Sequence, residues 1–143
     1  SWGAAMNRAV GAAVAVVGIV ATLVVSGCAQ GEPPTAAVPS VATFQVIEQQ
    51  FKVELITPEL VANAEALLRG EEAPSIPVGL IVRDDPSVNE PWSWHIDPAT
   101  VEFADMTIEV CDGLPEYVED FTLTSNTYCP WSATIIALEP LAD

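Results

Sequence analysis

From Ala9 to Val25 the chain carries no charge and is almost wholly Ala, Val, Ile, Leu and Gly, and it closes on the word Val25-Ser26-Gly27-Cys28. This run constrains the fold more than any other feature, because so apolar a stretch has no place on the surface of a water-facing domain of this size. A single basic residue, Arg8, stands just ahead of it. A short basic start, an apolar middle and small residues at the end form the pattern of an export signal. The competing reading is an uncleaved membrane helix. A bilayer-crossing helix needs about 20 apolar residues, and this run falls slightly short. Gly11 and Gly18 weaken it further as a stable helix.

The closing word resembles the lipobox of bacterial lipoprotein signal peptides. An ordinary secretory signal ends in a small-x-small cut site and releases its protein, whereas here the cut would fall before Cys28. The resemblance implies export, lipid on Cys28, and anchoring at the outer face of the bacterial cytoplasmic membrane or as a periplasmic lipoprotein. Residues 1–27 are then a signal peptide with its true start at Met6. Residues 28–42, with Pro33, Pro34 and Pro39 among small residues, are a lipidated tether reaching on the order of 40 Å at about 3 Å per residue. Residues 43–143 are a single folded domain.

The whole chain has a formal charge of −16, and Arg8 belongs to the leader, so the exported part is more acidic still. It keeps only Lys52, Arg69 and Arg83 as cations. Such a surface repels nucleic acid and anionic lipid headgroups, which excludes a nucleic-acid role and leaves a protein or cation partner. Lipid on Cys28 also resolves the odd cysteine count. Cys111 and Cys129 remain as a pair in an oxidising compartment, where a disulfide is expected and adds about 3 kcal/mol in the chain-entropy model. A metal or redox pair is the alternative, although neither cysteine lies in a C-x-x-C and the chain holds one histidine.

Hydrophobic patterning predicts an α+β domain with a mostly antiparallel sheet of about five to six strands, one main helix and one short helix. Strands are expected over 43–48 and 51–56, with the turn at Gln49-Gln50. Thr57-Pro58-Glu59 opens the main helix, whose stripe is Leu60, Val61, Ala64, Leu67 and Leu68, and Arg69-Gly70 closes it. Residues 76–83 are apolar on both faces and read as a central strand. Residues 92–97 alternate, with Trp92, Trp94 and Ile96 opposing Ser93, His95 and Asp97. Residues 101–111 alternate too, with Met106, Ile108 and Val110 as the inward face. Residues 115–121 suit a short helix turning Tyr117, Val118 and Phe121 inward, and 129–138 the last strand.

The words Trp92-Ser93-Trp94-His95-Ile96-Asp97-Pro98, Ile108-Glu109-Val110-Cys111-Asp112-Gly113, Tyr117-Val118-Glu119-Asp120 and Cys129-Pro130-Trp131 resemble a small secreted bacterial domain often labelled calmodulin or calmodulin-binding protein. That domain is similar to the N-terminal part of a slime-mould calcium-dependent binding protein. The resemblance spans roughly residues 43–138. It implies a fold, fits a Cys111–Cys129 bridge, and marks His95, Asp97, Glu109 and Asp112. The chain itself lacks the EF-hand loop, so it is not a calmodulin.

If the strands at 92–97 and 101–111 pair, His95 shares a face with Glu109. With Asp112 they would offer a divalent-metal site or a general base. The plainer reading is a hydrogen bond holding two strands in register. Two acidic groups invite calcium, Asp112, Glu116, Glu119 and Asp120 in one and Asp84, Asp85 and Glu90 in the other, against the plainer reading of a solvated face. Trp92, Trp94 and Trp131 are either core or the lining of a groove. No nucleophile elbow, phosphate loop or dinucleotide fingerprint occurs. The leading expectation is a non-enzymatic, lipid-anchored cell-surface binding domain. The alternatives are a calcium-responsive module and a small metal-dependent hydrolase using His95 with Glu109 or Asp112.

Overall fold

The computed structural model describes residues 38–142. The leader, Cys28 and most of the expected tether lie outside that range. Within it, seven strands form two antiparallel sheets, and two α-helices accompany them. The α+β expectation holds, with two sheets in place of one.

The first sheet has the order β2-β1-β7. Strand β1, Ser40–Val46, begins inside the stretch expected to be tether, and Ser40 is fully buried. It pairs with β2, Gln49–Leu55, from Ser40↔Leu55 to Val46↔Gln49. The turn is therefore Ile47-Glu48 rather than Gln49-Gln50. Ile47 sits at φ 59, a left-handed conformation that a β-branched residue adopts only at a cost. Nothing in its side chain announces a turn, and the hairpin's fixed register imposes it. On the other edge β1 pairs with β7, Thr134–Pro140, with a bulge between Thr43 and Phe44.

The main helix α1, Pro58–Leu68, follows its sequence signals closely. Thr57 Oγ1 accepts from Leu60 N at 3.2 Å, and Pro58 occupies the first turn. Gly70, at φ +80, turns the chain so that Glu71 N reaches Ala66 O at 3.0 Å. Val61 and Ala64 are buried, while Leu68 is exposed, so the apolar stripe ends one turn early. The helix packs on β7 and β5.

The second sheet is organised by β3, Ile76–Arg83. β4, Trp94–Ile96, pairs with its C-terminal end, and β5, Glu102–Ala104, with its N-terminal end. Between them the Pro98–Thr100 turn stays bonded to the middle of β3: Leu80 N donates to Thr100 Oγ1 at 2.9 Å, and Asp97 N donates to Leu80 O at 2.9 Å. Gly79 permits that approach, because a Cβ there would overlap the Ile96 side chain. β6, Thr127–Tyr128, pairs with Gly79 and Leu80. The strand expected over 129–138 is thus two strands, split by a turn that leaves Trp131 exposed.

An aromatic cluster fastens the two sheets together. Phe51 of β2 lies 5.3 Å from Phe44, 6.1 Å from Trp94 and 5.2 Å from Tyr128, measured between ring centroids. Asn89 is buried between the sheets. Its Oδ1 accepts from Lys52 N at 2.7 Å, and its Nδ2 donates to Trp94 O at 2.8 Å. The short helix α2, Pro115–Glu119, buries Val118 but leaves Tyr117 and Phe121 on the surface, against expectation. Phe121 instead lies under the Arg83 guanidinium, 4.1 Å from the ring centroid.

Candidate functional site

Where β5 ends, the sheet ends. Its last pair is Ile76↔Ala104, and Ile76 is the first residue of β3. The preceding chain leads away toward α1, where Asn63 Nδ2 donates to Pro74 O at 2.8 Å. Asp105 onward therefore has no ladder to join. The strand expected over 101–111 stops at Ala104, and Glu109–Cys111 is a single 3-10 turn. Met106, Ile108 and Val110, expected to face the core, are instead 85%, 68% and 66% exposed.

Three fixings hold this loop on the body. Cys111 and Cys129 stand at disulfide distance, with Cα atoms 5.0 Å apart, and both are buried. Cys129 N also donates to Cys111 O at 2.7 Å. Asp112 Oδ1 accepts from Trp131 N at 2.8 Å, and Trp131 Nε1 donates to Thr107 Oγ1. Ile76, Met106, Thr107 and Trp131, with Asp105, line a cleft of about 140 Å³. The result is an apolar surface on a tethered loop, a feature that usually marks an interaction site.

The histidine site anticipated from sequence does not assemble. β4 pairs with β3, and Glu109 stands on a turn outside the sheet, so the pairing that would put His95 and Glu109 on one face is absent. His95 is buried, and its Nδ1 lies 2.6 Å from Asp85 O. A carbonyl only accepts, so Nδ1 carries the proton and the ring serves as a brace. Among the described residues no three of His, Cys, Asp and Glu gather closely enough to hold a metal ion, which also corrects the Asp112-containing cluster.

The acidic groups considered for calcium are engaged locally. Glu119 accepts from Ser93 N at 2.8 Å and Ser93 Oγ at 2.6 Å, and Asp85 Oδ1 accepts from Ser87 N at 3.1 Å. Asp120 accepts from Thr122 N at 2.9 Å, and hydrogen bonding from Thr122 holds its carboxyl below the ordinary range. Asp97 caps its turn through Ala99 N at 3.0 Å. The tryptophans divide as well. Trp94 is core, Trp92 is half-buried with its Nε1 donating to Gln50 O at 2.7 Å, and only Trp131 faces a cleft.

Residues 38–142 match the model of the BP-74 N-terminal domain family. The chain belongs to that family. The matched range coincides with the described residues, and it agrees with the resemblance drawn from the Trp92, Ile108, Tyr117 and Cys129 words. No curated protein and no solved structure matches the chain. In this member of the family, the residues that sequence reasoning misjudged are Met106, Ile108 and Val110. Their alternation is a strand signal, and the signal that breaks it lies elsewhere, in Pro74 and Ser75, which end the partner strand.

Proposed function

We propose that this is a non-enzymatic binding domain that meets its partner through the loop from Asp105 to Cys111 together with Trp131. The observation that carries this reading is the outward display of Met106, Ile108 and Val110 on a loop fixed at its end by a cysteine pair. Apolar side chains held rigidly in water contribute binding free energy without a large ordering cost. The lipobox-like word at Cys28 supports display on the outer face of a bacterial membrane, with the tether carrying the domain clear of the surface. Among the described residues no helix is long and apolar enough to cross a membrane.

The test is site-specific photo-crosslinking in cells that express the full chain, with the probe at Ile108 and, as control, at Ile136 on the first sheet. A discrete crosslinked product at position 108 and none at 136 is the expected result. No product at 108, or equal products at both positions, overturns the docking assignment. Fatty-acid labelling addresses the anchor: label lost in Cys28→Ala is expected, and label retained overturns it.

A further inference from the structure

Asp105 stands between two clefts of different chemistry. On one side is the apolar cleft of about 140 Å³ formed with Ile76, Met106 and Trp131. That volume suits one small apolar group. On the other side, Glu72, Ala73 and Pro74 join Asp105 around an open space of about 420 Å³. Glu72 and Asp105 are both exposed, and no Lys or Arg lines either cleft. The nearby cations are engaged elsewhere: Arg69 Nε pairs with Glu71 at 2.6 Å, and Arg83 Nη1 donates to Val118 O at 2.6 Å. The apolar surface is thus flanked by carboxylates that no cation of the described domain approaches in these clefts.

We propose, building on the docking assignment above, that the partner is a cationic polypeptide segment. An apolar side chain of that segment enters the cleft against Met106 and Trp131, and a neighbouring Lys or Arg meets Glu72 and Asp105. Charge complementarity selects this occupant. A second copy of the chain would bring the same carboxylates face to face, and the formal charge of −16 opposes an anionic lipid surface. The apolar anchor supplies residence, and the carboxylates supply selection against acidic competitors.

The experiment titrates the full chain with short synthetic peptides of alternating Leu-Lys, Leu-Glu and Ser-Lys, and with phosphatidylcholine and phosphatidylglycerol vesicles. Two double variants accompany it: Met106→Ser with Ile108→Ser, and Glu72→Gln with Asp105→Asn. Tight binding of Leu-Lys alone, weakened about tenfold or more by either double variant, is expected. Leu-Lys binding untouched by the apolar variant overturns the proposal, since it reports only general charge attraction. Equal or tighter binding of Leu-Glu that the apolar variant abolishes overturns the cationic partner while leaving the docking loop standing. Vesicle binding that depends on Met106 and Ile108 replaces the polypeptide with a lipid surface. Failure of every peptide to bind also overturns the cationic assignment, and the crosslink at Ile108 then decides separately whether the loop docks at all.

Discussion

The β1–β2 hairpin and the segment from Glu102 to Val110 alternate apolar with polar residues in the same way, yet they reach opposite ends. In the hairpin, Phe51, Val53 and Leu55 are buried while Lys52 faces water. In the segment, Met106, Ile108 and Val110 face water. Neither propensity nor hydrophobicity separates them. β1 has a paired strand on each edge, so its neighbours hold β2 in a register that sends alternate side chains inward. β5 loses its partner after Ala104, and an unpaired chain has no fixed face. Alternation states that one face is apolar. Only a neighbouring strand decides where that face points.

The comparison is broken most forcefully from the hairpin side. Phe51→Ala removes the ring that touches Phe44, Trp94 and Tyr128, and it should destabilise the domain by about 3–5 kcal/mol in urea unfolding. A loss below about 1 kcal/mol would mean that the two sheets do not share this core. From the loop side, replacing Cys111 and Cys129 together by Ala should cost about 3 kcal/mol, given their separation of 18 residues. Hydrogen exchange should then rise first in residues 105–112. Uniform exchange across the hairpin as well would show that the bridge serves the whole fold rather than the loop.

Tyr128 joins the two regions, since its ring packs on Phe51 and its hydroxyl donates to Gly113 O at 2.8 Å. Burial pushes its phenol well above the ordinary value, with the Asp112 charge adding to the effect. A raised folded-state value means that the stability is intact below the unfolded value near pH 10 and is lost as pH climbs beyond it. Tyr128→Phe should cost about 1 kcal/mol at neutral pH and flatten the alkaline loss, as followed by thermal melts across pH. An alkaline limb unchanged by the substitution would place its origin elsewhere.

Smaller effects sharpen the contrast. Met106→Ser with Ile108→Ser removes two exposed groups and should shift stability by no more than about 0.5 kcal/mol, in contrast to Phe51→Ala. A loss of several kcal/mol would return the loop to the core. Smallest of all, calcium should raise the melting temperature no more than magnesium does, because Asp85, Asp112, Glu119 and Asp120 already accept from main-chain amides. A calcium-selective rise would reopen the cation reading.

Where signals are local, the chain announced its own structure. Thr57, Pro58, Glu59, Arg69 and Gly70 act through bonds within a few residues, so α1 was legible to within a residue or so. β3 was legible as a central strand, and it organises the second sheet. The hairpin turn was not, because Ile47 has no turn chemistry and adopts φ 59 only under the register of β1 and β2. His95 was legible as a special residue but not as a brace, since its partner is the main chain of Asp85 and a backbone oxygen leaves no mark in the sequence. The candidate docking loop was visible as residues and invisible as a surface.

The sequence by itself determined the acidic charge, the α+β class, the main helix and the pairing of the two cysteines left once Cys28 is set aside. Each follows from composition or from contacts close along the chain. The tertiary structure alone decided that the strands divide into two sheets, that His95, Glu109 and Asp112 form no common site, and that Met106, Ile108 and Val110 face outward. These depend on which strand ends beside which, and β3 begins at Ile76, one pair short of covering Asp105.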